Sequence, residues 1–435
     1  MNQDLHPVFG TPLPQDWKVV SVDEIKSSEK SSCVAGPFGS NISSKFFVAD
    51  GVPVIRGSNL TSDLTKFVSD SFVFVSTQQA QNYPAQHVRA GDLVFTCWGT
   101  VGQVALIPDD GPYDQYVISN KQLKLRPDVS RTDSRFLYYY FASSAMVEYI
   151  RNRAIGSAVP GINLGILKGL PVVLPPLEAQ RKIAAMLSAY DDLIENNNRR
   201  IKLLEEMAQR IYREWFVDFR YPGHEAVPLV DSELGPIPEG WVAAPLFEVA
   251  EVTFGYPFKS ELFNSDYGLP VIRIRDIPNG ESGTLTPEEP SGIYRVSDGD
   301  ILIGMDGNFH MGRWSAGEAW LNQRVTRLRV TSKAVCRYAL FLALEKPIGD
   351  WNQAIVGTTV AHLGKSHLEL VKIPVPPLSL EMQLSALLDP MFDLEITLRK
   401  SNRNLRKARD ILLPRLISGE IDVTDLDIAL AETAA

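Results

Sequence analysis

The second half of the chain repeats the first, and this duplication limits what it can fold into more than any other feature. LPQDWKVVSVDEI (13–25) returns as IPEGWVAAPLFEV (237–249), with Trp17 matched by Trp241 at an offset of 224 residues. GPFGS (36–40) returns as GYPFKS (255–260), and GVPVIRGSNL (51–60) as GLPVIRIRDI (268–277). VRAGDLVFTCWGTVG (88–102) matches YRVSDGDILIGMDGN (294–308), and NKQLKLR (120–126) matches QRVTRLR (323–329). GSAVPGINLGILKGLPVVLPPL (156–177) matches GTTVAHLGKSHLELVKIPVPPL (357–378), where the offset has fallen to 201. The order is kept, so the second copy is the first shortened by small deletions. Solenoid repeats have periods of roughly 20 to 50 residues; a period above 200 means that each copy is a whole domain.

Within a copy, short alternating runs such as VPVIR (52–56), DLVFT (92–96) and QLKLR (122–126) are punctuated by Gly, Pro, Asn and Asp, the signature of short strands joined by turns. Helical patches follow at FLYYYFASSAMVEYI (136–150) and YALFLAL (338–344), so each module is a mixed domain of mostly antiparallel strands plus helices. After each PPL the texture changes. Ile183, Met186, Tyr190, Leu193, Ile201, Leu204, Ala208, Ile211 and Trp215 recur at spacings of three and four around Asn197, and Leu384, Leu387, Met391, Leu394, Leu398, Leu405 and Leu412 do so around Asn402. Each seam predicts a helix of roughly 35 residues, on the order of 50 Å long. Neither buries a one-sided stripe alone, so the two are expected to pair, antiparallel because a folded module joins them, with Asn197 and Asn402 setting register. The alternative is two surface helices, each packed on its own domain. Pro390 predicts a kink in the second. The expected fold class is α+β, two duplicated mixed domains separated by two long helices that form an antiparallel coiled coil. The expected boundaries are 1–176 for the first domain, 177–222 for the first helix, 223–377 for the second domain, 378–417 for the second helix and 418–435 for a tail.

Composition excludes several classes. With 45% hydrophobic and 22% charged residues the chain is neither disordered nor collagen-like. Cys33, Cys97 and Cys336 lie far apart with no CxxC pair, which excludes a disulfide framework and fits a reducing cytoplasm. No run approaches the roughly 18 apolar residues that span a bilayer, and MNQDLHPVFG lacks the regions of a signal peptide, so a cytoplasmic protein outside the membrane is expected. The net charge of −9 argues at first against nucleic acid. Its distribution matters more: residues 1–222 are neutral, and the excess acid lies in 223–435. Positive charge for DNA must then come from local clusters, such as the run Arg399, Lys400, Arg403, Arg406, Lys407 and Arg409, or from partner subunits. Catalytic motifs are missing. HLGKS (362–366) resembles the end of a phosphate loop, but Thr359 stands where its first glycine is required. LPPL (174–177) and VPPL (375–378) lack the polar first and aromatic last residues of an amino-methyltransferase loop, and no GxSxG, HExxH or paired metal-ligand spacing occurs. The sequence points to a binding protein.

PPLEAQRKIAAML (175–187), REWFVDFRYPGHE (213–225), the GS and GT segments before each PPL, and LLPRLISGEI (412–421) together resemble the specificity subunit of Type I restriction-modification systems, over the whole chain. The resemblance implies two target-recognition domains, each reading half of a bipartite double-stranded DNA sequence. It implies two modification subunits that carry S-adenosylmethionine and methylate adenine, and restriction subunits that cleave after ATP-driven translocation with Mg²⁺. This chain would hold no cofactor or metal and have no catalytic residue of its own. Base reading needs donors and acceptors on exposed loops, while Lys and Arg anchor phosphates. The candidates are Lys45, Arg56, Asn59, Trp98, Lys121, Lys124, Ser157 and Asn163 in the first copy. In the second they are Lys259, Arg273, Arg275, Asn308, His310, Arg313, Arg324, Thr358, His362 and Lys365. Candidates for helix pairing or a partner subunit are Asn197, Ile201, Leu204, Ile211, Trp215, Phe216, Leu394, Leu398, Asn402 and Leu405. Two rival readings are a metal-dependent nuclease using Asp109, Asp110 or Asp306, and a coiled-coil adaptor for other proteins.

Overall fold

The computed structural model describes residues 5–39, 41–156, 159–331, 335–354 and 362–428. Ser157 and Thr358, both candidate DNA contacts, lie outside them. The chain forms two compact units, Met1–Leu193 with Leu405–Ala435, and Ile194–Asn404.

In the first unit Lys18–Ser21 pairs antiparallel with Pro171–Leu174. A four-stranded antiparallel sheet runs in the order Cys33–Ala35, Gln122–Leu125, Leu93–Thr96, Val104–Leu106. A five-stranded sheet runs Phe47–Val48, Val73–Val75, Val52–Ile55, Tyr116–Ile118, His87–Val88, with Val52–Ile55 and Tyr116–Ile118 parallel. The second unit repeats this plan. Val242–Pro245 pairs with Lys372–Val375. The four-stranded order is Ala250–Phe254, Val325–Val330, Ile301–Gly304, Met311–Arg313. A further sheet runs Leu285–Thr286, Leu269–Ile272, Ala319–Leu321, Arg295–Val296, and its parallel pair, Leu269–Ile272 with Ala319–Leu321, stands where the first copy has its own.

The same buried charges brace both copies. Arg126 grips Asp92 through Nε and Nη2 at 2.7 and 2.8 Å, and Arg329 grips Asp300 likewise at 2.6 and 2.7 Å. Such bidentate pairs tie a strand end to the turn opposite.

The long helices span Leu177–Tyr212, closed by a π-helical turn at Arg213–Val217, and Leu378–Ile417. The second is assigned without a break through Pro390. In the first unit Ile183, Ala184 and Leu187 share a core with Leu413, Leu416, Ile417 and the aromatic run of the helix Ser134–Ala142. In the second, Leu384, Leu388, Phe392 and Ile396 pack with Ala208, Trp215 and the helix Arg337–Ala354. Each helix start is latched to its domain. In the first copy the buried Gln180 accepts from the Asp133 N–H at 3.0 Å and donates to Arg131 O at 3.1 Å and Pro175 O at 2.8 Å. The repeat places Glu381 at the matching position, and its carboxyl is pushed up to about 7, chiefly by burial.

The two helices run antiparallel. Asn197 Nδ2 donates to Asn402 Oδ1 and Asn402 Nδ2 to Asn198 Oδ1, each at 2.8 Å, while Glu205 meets Arg399. Ile201 and Leu398 are buried with them, and Leu204, Ile211 and Leu405 are half-buried. The stripe differs from expectation at Leu193, Leu387 and Leu394, which are 52%, 50% and 38% exposed. Ile194 and Leu388 are inside instead, and Glu395, Asn402 and Arg409, one heptad apart, take polar seam positions. Glu395 accepts from Arg313 and Arg399 at 2.7 Å and from the Tyr338 hydroxyl at 2.8 Å. In the first unit Asp191 accepts from Arg409 at 2.7 Å and from the Tyr139 hydroxyl. No helix among the described residues is long and apolar enough to cross a membrane.

Candidate nucleic-acid interface

Where the strand Leu93–Thr96 ends, three segments of the first domain are tied by backbone bonds. Cys97 N–H donates to Lys121 O at 2.8 Å, Ile162 N–H donates to Cys97 O at 2.8 Å, and Trp98 bridges to Gly161. The second domain builds the same frame after Ile301–Gly304: Met305 N–H donates to Arg324 O at 2.9 Å, Leu363 N–H to Met305 O at 2.7 Å, and Asp306 bridges to His362. Beside it, an added Cβ on Gly36 or Gly255 would sit 1.8 Å from Ser119 O or 1.9 Å from Asn322 O, so glycine is required for the close approach in both copies.

The residues of this frame divide by direction. Cys97 and Ile162, like Met305 and Leu363, are buried. Trp98, Lys121, Arg324 and His362 are exposed, and Asp306 is half-buried. In the first copy the Trp98 ring lies across Gly161, where a Cβ would fall 2.2 Å from it. In the second, the smaller Asp306 leaves room for His362. Asp306 Oδ1 lies 2.7 Å from His362 Nδ1, and its Oδ2 lies 3.2 Å from Arg324 Nε. Asp306 had a place in the sequence reading only as a possible metal ligand; the signal that marks it is its alignment with Trp98 in the repeat.

The remaining candidates scatter. Lys121, Lys259 and Arg275 are exposed with no ion-pair partner among the described residues, and Lys45 is exposed with its ammonium 4.8 Å from the Phe46 ring. Lys365 is exposed and pairs with Glu369 at 3.4 Å. Asn308 is exposed, and His310 and Arg56 are half-buried. Asn163 caps the turn Leu164–Lys168, accepting from Ile166 N–H at 2.9 Å.

Several expectations need correcting. Asn59 is fully buried, accepting from Arg56 N–H and donating to Val68 O and Asp70 O, so it organises a loop and presents nothing outward. Asp276 does the same for Arg273, whose guanidinium it also holds at 3.3 Å. Lys124 is 2% exposed and donates to Ala85 O at 2.6 Å and His87 O at 2.9 Å; burial pulls its ammonium down to about 8, and it cannot meet a phosphate. Arg313, with a side chain 7% exposed, joins Glu205 and Glu395 and lies 4.1 Å from the Phe341 ring centre. Trp215 and Phe216 are core residues beside Tyr221 and Trp241, which removes them from any partner surface.

The cationic run of the second helix is also largely engaged. Arg399 pairs with Glu205 and Glu395, Lys400 with Asp298, Arg403 with Glu281, and Arg409 with Asp191. Arg406 and Lys407 are exposed.

Residues 14–206 and 238–405 each match the family model described as the Type I restriction modification DNA specificity domain. The MjaIX Type I restriction enzyme specificity subunit of Methanocaldococcus jannaschii is 25% identical over 430 residues, 95% of this chain and 95% of that one. The EcoBI specificity subunit of Escherichia coli is 30% identical over 196 residues, 44% of this chain and 41% of that one. The crystal structure of the Type I restriction-modification S subunit from M. genitalium shares the fold, with a TM-score of 0.56 at 17% identity over 96% of this chain and 99% of that one. By the two matched domains and the duplicated fold, the chain belongs to the family of Type I restriction-modification specificity subunits.

Proposed function

We propose that this chain gives a Type I restriction-modification complex its address, each domain reading one half of a bipartite double-stranded DNA target. Two modification subunits, holding S-adenosylmethionine, methylate adenine within the target, and restriction subunits cleave elsewhere after ATP-driven translocation with Mg²⁺. The chain itself contributes no turnover. The observation that carries this reading is that one backbone frame is built twice and presents different side chains, exposed Trp98 and Lys121 in one copy and exposed Arg324 and His362 with half-buried Asp306 in the other. A scaffold that repeats its fold while varying its outward chemistry suits two unlike half-sites. Against the nuclease reading, both oxygens of Asp306 face cationic or donor groups of the chain.

The test is methylome sequencing of cells carrying the whole system, before and after residues 1–176 are replaced by the corresponding region of another such subunit. A bipartite motif of which one half changes supports the proposal. A continuous motif, or a change in both halves, refutes it. A sequence-dependent gel shift separates it from a protein adaptor, which would not discriminate among duplexes.

A further inference from the structure

The geometry points to Arg324 as the guanine reader of the second domain, with Asp306 as its positioning residue; we propose this on the basis of the function above. Arg324 opens the segment whose backbone anchors the frame, so its Cα is fixed by the bond from Met305 N–H to Arg324 O at 2.9 Å. Its side chain is 54% exposed, and its Nε forms an ion pair with Asp306 Oδ2 at 3.2 Å. Neither Nη makes a hydrogen bond among the described residues. A guanidinium paired with a carboxylate on its Nε side and making no hydrogen bond from either Nη offers the parallel donor pair that matches guanine O6 and N7 in the major groove, the commonest base-specific contact.

Asp306 is fixed in turn. His362 Nδ1 lies 2.7 Å from its other oxygen, and its backbone is bridged to that of His362. A carboxylate held on both sides restrains the arginine rotamer before DNA arrives, so less side-chain freedom is lost on binding. The contrast with the first copy sharpens the assignment. Lys121 aligns with Arg324 and makes the same backbone bond, but its ammonium is a compact point charge on a flexible stem without the planar donor fork, and Trp98 replaces the orienting carboxylate. The two domains are therefore expected to differ at the base pair that faces this junction, with a required G·C pair in the second half-site.

The test uses the purified complex of the full chain with its modification subunits, measuring methyl transfer from S-adenosylmethionine to duplexes that carry every single base-pair substitution in both half-sites. In Arg324→Gln, discrimination at one G·C pair of the second half-site should fall by about 5- to 150-fold, with the other positions keeping theirs, and Arg324→Lys, which can still donate to guanine, should lose less. Asp306→Asn should lose part of the discrimination at that same pair. The first half-site, read by the other domain of the same molecule, reports whether folding and assembly are intact. A uniform loss of rate with base preferences unchanged would make Arg324 a phosphate anchor and overturn the proposal, as would unchanged discrimination. Failure of the native complex to recognise a bipartite target would instead defeat the functional reading itself, before any variant is compared.

Discussion

Glu381 is the clearest place where the two copies can be tested against each other. In the first copy the matching residue, Gln180, satisfies the helix start with one accepted and two donated hydrogen bonds. Glu381 is 1% exposed; Oε1 accepts from Ser385 Oγ at 3.0 Å, while the buried Oε2 meets no geometrically sound hydrogen-bond donor among the described residues. Burial raises its carboxyl from 4.5 to about 7. Between those values the folded state holds a proton that the unfolded state has lost. The stability that this group contributes is therefore fully present below 4.5 and is lost as pH rises through about 7. A shift of this size corresponds to about 3 kcal/mol. Glu381→Gln removes the titration and supplies the N–H donors that the first copy uses, so it should match the wild type near pH 4.5 and exceed it by up to about 3 kcal/mol at pH 8. Urea unfolding of the full chain, followed by tryptophan fluorescence from pH 4.5 to 8, reads this directly. Parallel pH profiles for variant and wild type would show that Glu381 ionises normally and that the reasoning is wrong.

Three other outcomes are expected. Asn402→Leu should destabilise the chain by about 1 to 3 kcal/mol, because it strands the buried Asn197 amide, whereas Asn197→Leu with Asn402→Leu should recover most of the loss; additive single effects in urea titrations would deny the coupling. Arg313→Met should cost about 3 kcal/mol by leaving Glu395 buried beside Glu205 with Arg399 alone to balance them, and a shift of the urea midpoint under a tenth as large would refute it. One heptad added after Asn198 and one directly before Asn402 keeps the asparagine layer together and lengthens the helix pair by about 10 Å; the preferred spacer, read by methylation of a spacer-length library, should grow by up to about three base pairs. An unchanged optimum in an active variant would mean that the helices do not set that distance.

Much of the architecture was legible because duplication doubles the signal: each short strand and each PPL junction occurs twice in the same order. The boundary between surface and interior was less so. QLKLR reads as a strand with Lys124 outward, yet Gln122, Leu123, Lys124 and Leu125 are all buried, since both faces of that strand are covered. Periodicity cannot distinguish a two-sided strand from a one-sided one. The second long helix misled in the opposite way. A search for apolar spacing accepts Leu394 and passes over Glu395 and Arg409, because a charge at a seam position looks like surface until its partner is known. The partners, Arg313 and Asp191, come from distant parts of the sequence. The DNA candidates were chosen by residue type, so buried braces such as Asn59 were gathered with exposed residues such as Arg324.

Comparing the copies with each other separates these roles better than either copy alone. Positions that keep their chemistry are those whose polar atoms serve the backbone or a buried charge: Asp92 with Arg126 recurs as Asp300 with Arg329, and the turn closed by Asn59 recurs with Asp276. Loss of any of these would leave a buried group unpaired, which the fold tolerates poorly. At the junction, by contrast, the backbone bonds recur and the residues change from Trp98, Lys121 and Gly161 to Asp306, Arg324 and His362. Those changes are also correlated. Trp98 lies where a Cβ at position 161 would fall 2.2 Å from its ring, so any side chain at 161 requires a change at 98. An exposed surface that varies on a frame that does not can acquire a new specificity without a new fold, and under the proposed function this lets two domains of one ancestry in one chain address different DNA.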